Sequence, residues 1–385
     1  MAFPSKNSRF HFPPFTGLKR LAYLLPFAIA SGCAYLHTPY TPPTQSGGLQ
    51  TVASVGKNTY RDGGEAAYQI RRETPRLLAR PDATVFDYPR EPVQAKNRIE
   101  PDKETEFYSV RTLRFPSIGD NGQEDNVAAG RYFQSKLPGK KKLVIILPIW
   151  GSSKYPSTRI AEGVMERSRG ATNVLLVDGE KDFVDWKLIE SAHDEQAFVD
   201  LTRQYMIERM RTNIIDLRRW LDWFETQDDI DQRHVGLVGF SISSIVGSAA
   251  YGVDRRLSTG IFVGGGANPD EMLATCHWEP KELRDTITTR FGWSVQHYQD
   301  VLHELFAPIN PARFGSAVDP QHVLIFDSYY DSCIPASSRE ALWESMGRPE
   351  RISFLHDHKV SFMSVTPLGL NFMRVKIYDF LDKNL

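Results

Sequence analysis

Residues 235–244 read VGLVGFSISS: an apolar run that passes straight into a serine flanked by small residues. Two readings of Ser241 compete. A serine between a strand and a helix can cap the helix, or it can be held out on a sharp turn as a nucleophile. The second needs small neighbours two positions away, because the chain folds back tightly there; Gly239 meets that need, and Ser243 has little bulk beyond its hydroxyl. On these ten residues alone the two readings stay balanced, since Gly-x-Ser recurs by chance.

The flanking chain supplies the frame. KLVIILP (142–148), NVLLVDG (173–179), HVGLVGF (234–240), TGIFVGGG (259–266), HVLIFDS (322–328) and RISFL (351–355) are short continuous apolar runs. Such runs suit strands covered on both faces, as in a parallel sheet. EFYSVRTLRF and AAGRYFQSKL alternate instead, and the Gly- and Asn-rich SIGDNGQEDN between them marks a hairpin or loop. Between the apolar runs lie helical patterns. TNIIDLRRWLDWFETQ places Ile214, Ile215, Leu217, Trp220, Leu221 and Phe224 at helical spacing, and SSIVGSAAYGV, SREALWESM and GLNFMRVKIYDFLDK complete the set. The predicted fold is α/β, a mostly parallel mixed sheet with helices on both faces.

Partners decide between the readings of Ser241. A serine hydroxyl needs a base, normally an imidazole, and a carboxylate to fix that imidazole's tautomer. HVLIFDSYYDSCIP runs a strand into a loop with Asp331 and Pro335, and RISFLHDHKVSF runs another into His356 and His358. Ser241, Asp331 and His358 each lie just beyond the carboxyl end of an apolar strand, and in a parallel sheet those ends share one crevice.

With that order of residues, segment 105–385 resembles the α/β-hydrolases, closest in style to the dienelactone-hydrolase and prolyl-oligopeptidase-like branches. The Asp-x-x-x-Pro from Asp331 to Pro335 and a histidine a few residues past the last strand carry the resemblance. It implies a nucleophile at Ser241, an acid at Asp331 and a base at His358, preferred over His356 because of its spacing. Asp327 and Asp270 are the alternative acids. The resemblance also implies an oxyanion hole from the amides of Ile242 and, in the PIWGSS loop, Trp150. That loop departs from the usual His-Gly, and Ser243 from the usual second glycine. No cofactor or metal is required; His356-Asp357-His358 lacks further ligands nearby.

An insertion near 268–312 carries Trp278, Phe291, Trp293, Tyr298 and Phe306. In the family such insertions form caps, and whether these aromatics face a substrate or pack the cap onto the core is open. The implied activity is hydrolysis of carboxylic esters on a small-molecule ester or acyl substrate. A peptidase, an acyltransferase or an inactive binding scaffold could use the same frame.

The chain has 385 residues, 24% charged, with net charge −1, so nothing marks a nucleic-acid surface. Its only basic run, PGKKK at 138–142, is a solvated flank of the following strand. Lys6, Arg9, Lys19 and Arg20 precede LAYLLPFAIASG, too short to span a bilayer and broken by Pro26: the pattern of a signal peptide over 1–32. Ala30-Ser31-Gly32-Cys33 resembles the lipobox of bacterial lipoproteins, with Ala30 where leucine is usual. The resemblance implies lipidation of Cys33, a membrane anchor and a cell-envelope location, the outer membrane in a Gram-negative cell given Ala34. Residues 33–58, rich in Pro, Thr, Ser and Gly, read as a flexible tether, and 59–104 as an N-terminal extension. Cys276 and Cys333 could pair in an oxidising compartment, although two buried thiols are the plainer reading.

Overall fold

The computed structural model describes residues 35–42, 82–100, 104–118, 126–149, 155–179, 183–361 and 372–385. Among the described residues ten strands form one sheet: β1 (Tyr35–Thr38), β2 (Lys96–Glu100), β3 (Tyr108–Pro116), β4 (Val127–Ser135), β5 (Lys141–Ile146), β6 (Thr172–Val177), β7 (Ile230–Phe240), β8 (Thr259–Val263), β9 (Val323–Ser328) and β10 (Glu350–Phe354). Their order across the sheet is β1-β10-β9-β8-β7-β5-β6-β4-β3-β2. Strands β5 to β10 are mutually parallel, while β2, β3 and β4 add antiparallel at one edge and β1 at the other. The six continuous apolar runs are these six parallel strands, and β3 and β4 are the alternating pair.

Helices α1 (Tyr155–Arg167), α2 (Trp186–Glu190), α3 (Glu195–Thr202), α4 (Glu208–Glu225), α5 (Ile242–Val253), α6 (Pro269–Thr275), α7 (Glu279–Phe291), α8 (Val295–Phe306), α9 (Ala336–Ser345), α10 (His358–Ser361) and α11 (Phe372–Asn384) fill the connections. They cover both faces. Ile160 and Val164 of α1 and Ile377 and Phe380 of α11 pack on one side with Val144, Val238 and Phe326. Ile214, Leu217 and Trp220 of α4, Ile245 and Val246 of α5 and Leu342 of α9 pack on the other with Ile145, Leu237 and Phe262. Alternate residues of one strand feed the two cores, which is why no polar position interrupts these runs.

One expectation is corrected. The tether assigned to 33–58 is not one over Tyr35–Thr38: these residues pair antiparallel with β10, Tyr35 opposite Phe354 and Thr38 opposite Arg351. Tyr35 is anchored by its ring, 4.6 Å from that of Phe372. Within the extension assigned to 59–104, β2 joins the sheet edge and Phe86 is fully buried against Phe314.

A buried charge network locks α4 to the end of α5. Arg256 donates to both carboxylate oxygens of Asp254, at 2.9 and 2.7 Å, and to Asp222 at 2.6 Å. Burial pushes the Asp254 carboxyl up, but the Arg256 hydrogen bonds and charge outweigh it and hold the group below the usual range. Arg256→Ala leaves Asp254 buried without its main partner. Urea denaturation should show a loss of about 3 kcal/mol or more; an unchanged midpoint would mean the network contributes nothing.

Candidate active site

Ser241 sits between β7 and α5 with φ 52° and ψ −122°, a backbone conformation that non-glycine residues rarely adopt. Such a residue costs roughly 1–3 kcal/mol and persists only where its surroundings over-determine it. Here they do. The Ser241 amide donates to the Val263 carbonyl of β8 at 2.7 Å, and the Ser244 amide donates to the Ser241 carbonyl at 2.8 Å. A side chain at Gly239 would place its Cβ 2.5 Å from the Ser243 carbonyl oxygen, so the turn closes only over a glycine there. The tight approach at position 243 is made by its backbone, so the Ser243 side chain is not what crowds the turn. Ser241 is not a capping serine: its side chain makes no capping hydrogen bond to the helix.

The hydroxyl instead meets His358. Ser241 Oγ lies 3.2 Å from His358 Nε2, and His358 Nδ1 lies 2.7 Å from Asp331 Oδ2. An ionised carboxylate only accepts, so Nδ1 carries the proton and Nε2 presents its lone pair to the serine. The side chains of Asp331 and His358 are both buried. The second oxygen of Asp331 accepts from the amides of Cys333 at 2.9 Å and Ile334 at 2.8 Å, which aims the carboxylate. The three residues singled out from strand ends are thus one hydrogen-bonded line. Ile242 opens α5, where a first-turn amide has no acceptor within its own helix. Of the PIWGSS loop, Trp150, Gly151, Ser152 and Ser153 lie outside the described residues, as does Cys33.

The alternatives sit elsewhere. His356 stacks on Phe354 and lies 3.1 Å from Ser361 Oγ, and burial lowers its pKa. Asp327 pairs with Arg351 at 2.5 Å, and Asp270 approaches His303 at 3.4 Å. Among the described residues no group of three or more His, Cys, Asp and Glu side chains could hold a metal ion.

Three features escape sequence reasoning. Asp357 Oδ1 accepts from the amide of Ser332 at 2.9 Å, its hydroxyl at 2.9 Å and the amide of His358 at 2.8 Å, so it ties the loop after β9 to the loop after β10. Burial raises the Asp357 pKa, but those hydrogen bonds prevail and leave it lowered. Second, Cys276 and Cys333 form a disulfide, which corrects the plainer expectation of separate thiols. Third, the segment beside Cys276 grips the same loops. The His277 amide donates to the Ser332 carbonyl at 3.3 Å, and the Trp278 ring stands edge-on to the His358 imidazole, 5.4 Å between centroids. The insertion aromatics therefore divide. Trp293 and Tyr298 pack on Phe198 of α3, while Trp278 walls the imidazole. The spacing of Asp357 between two histidines was visible, but as a metal pattern rather than as a backbone clasp.

No family model and no curated protein matches the chain. Solved structures do. An acetyl xylan esterase from Paenibacillus sp. R4 superposes with a TM-score of 0.58 at 16% identity, over 79% of this chain and 92% of its own. Acetyl Xylan Esterase 1 from Thermoanaerobacterium sp. JW/SL YS485 gives 0.53 at 14% identity, over 74% and 88%. The chain has the α/β-hydrolase fold. At such identities the likeness is one of fold, and the chemistry must be argued from the residues at the end of β7, β9 and β10.

The disulfide closes a separation of 57 residues and ends two positions from Asp331. In the chain-entropy treatment such a loop contributes on the order of 4 kcal/mol. Replacing Cys276→Ser with Cys333→Ser, or adding dithiothreitol to the parent protein, should lower the urea midpoint accordingly. A midpoint insensitive to both would contradict the bond.

Proposed function

We propose that the protein is a serine hydrolase of carboxylic esters, with Ser241 as nucleophile, His358 as general base and acid, and Asp331 as the group that orients the imidazole. The observation that carries this reading is the continuous line Ser241–His358–Asp331, with separations of 3.2 and 2.7 Å. Ser241 Oγ attacks the ester carbonyl carbon while its proton passes to His358 Nε2. Asp331, already bonded to Nδ1, stabilises the imidazolium that forms. The negative charge on the carbonyl oxygen falls to the amides of Ile242 and Trp150. Collapse of the tetrahedral intermediate breaks the C–O bond, and His358 returns the proton to the departing alcohol. Water then repeats the sequence in reverse, with His358 taking its proton and the acyl group leaving as the free acid.

The fold neighbours that are acetyl xylan esterases favour esters over amides as the class to test first. The N-terminal pattern supports a cell-envelope enzyme held by lipid on Cys33. Among the described residues no helix is long and apolar enough to cross a membrane, and the anchor lies in the segment ahead of Tyr35.

The test is kinetic. With p-nitrophenyl esters of rising chain length, Ser241→Ala and His358→Ala should each lose on the order of 10⁴–10⁶ in kcat, with circular dichroism unchanged. A Ser241→Ala protein of full turnover would exclude this serine as the nucleophile.

A further inference from the structure

The chain enters the fold at the rim that carries Ser241. Strand β1 begins with Tyr35 opposite Phe354, the last residue of β10. Because β1 is antiparallel, its first residue stands at the carboxyl ends of the parallel strands, beside the loops of Asp331 and His358. Ahead of it in the sequence, across Ala34 alone, is Cys33, the last residue of LAYLLPFAIASGC (21–33).

Among the described residues that rim carries exposed apolar side chains. Paired residues share a face and alternate residues return to it, so Leu36 lies on the face of Ser353 and Asp327. Leu355 and Tyr329 follow two positions further along those two chains, just past the strand ends. Leu36 is 50% exposed, Leu355 36% and Tyr329 54%. Tyr330, 66% exposed, packs edge-on against Tyr329 at 5.0 Å, and Val360, 40% exposed, stands two residues beyond His358. Of the ten large hydrophobic side chains exposed among the described residues, these five occupy this one rim. Single exposed apolar residues are ordinary, but a cluster marks a surface that meets something. Tyrosine suits a boundary, with an apolar ring and a polar tip.

We propose that this rim, bearing Leu36, Tyr329, Tyr330, Leu355 and Val360, rests on the lipid bilayer, so that the Ser241 site opens toward the membrane surface and draws its esters from there. The occupant is a bilayer because a lipidation-type cysteine, Cys33, stands two residues ahead of Tyr35 at this rim. Only Ala34 separates Cys33 from β1, so an anchor there holds this edge close to the lipid. The inference rests on the serine-hydrolase reading and on membrane attachment through lipid on Cys33.

The mature lipidated protein, starting at Cys33, is bound to vesicles of phosphatidylethanolamine and phosphatidylglycerol containing a nitroxide-labelled lipid, with a fluorescent amino acid placed at Leu355 or, on the opposite rim, at Lys140. Strong quenching at position 355 and little at 140 is expected. Equal quenching at both, or none at either, overturns the proposal whatever the activity. In a second arm, Leu36→Ser combined with Leu355→Ser should lower hydrolysis of a long-chain ester carried in those vesicles by about tenfold or more, from the lost apolar burial of two leucines. Turnover of a soluble short-chain ester should stay within about twofold of the parent. Equal effects on both substrates, or no effect on either, contradict the docked rim; failure of the parent protein to cleave the soluble ester strikes at the hydrolase reading instead.

Discussion

Everything in this site hangs on one peptide unit, the turn at Ser241. A left-handed φ of 52° on a residue with a side chain is unfavourable, and three local contacts hold it. The Val263 carbonyl takes its amide, the Ser244 amide takes its carbonyl, and the absent side chain at Gly239 leaves room for the Ser243 backbone. The result is directional. The hydroxyl projects beyond the sheet edge toward the loops that follow β9 and β10, instead of folding back on the amides of α5. Strain at one residue is thereby converted into aim, and the large buried core on both faces of β7 supplies the stability against which it is set.

Aim alone does not make a serine reactive; the imidazole must stay within reach. The loops that carry Asp331 and His358 are cross-tied rather than independent. Asp357 collects three donors from the two loops, and Asp331 takes two amides of its own loop. The insertion is fastened to the same place by the Cys276–Cys333 bond, with Trp278 against the imidazole. A segment that begins as an excursion between β8 and β9 thus becomes part of the wall around the base. A displacement of about 1 Å at such a base can cost on the order of 10²-fold in rate, which gives these ties a chemical as well as a structural meaning.

Much of this was legible beforehand, and the exceptions have physical causes. Strands β5 to β10 read clearly because both faces are covered and apolar residues run on without alternation. The order of Ser241, Asp331 and His358 read clearly because parallel strands deliver their ends to one edge. Strand β1 was hidden because YLHT precedes a Pro- and Thr-rich stretch, and its stability comes from the ladder to β10 and the Tyr35–Phe372 contact, neither of which has a local signature. Strand β2, KNRIE, carries three charged residues, as an edge strand can, and so lacks the apolar run of the central strands. The disulfide depends on a distance that no spacing of 57 residues reveals. Trp278 and Trp293 are the same residue type fifteen positions apart; only packing tells that one faces His358 and the other Phe198.

The central claim is that the imidazole of His358 makes the Ser241 oxygen nucleophilic. Treating the folded protein with a fluorophosphonate and mapping the adduct by peptide mass spectrometry tests it most directly. The account predicts a single phosphonylated peptide carrying the label on Ser241, formed rapidly in the parent and lost in His358→Ala. A label on another serine, or equal labelling of Ser241 without the imidazole, would contradict it.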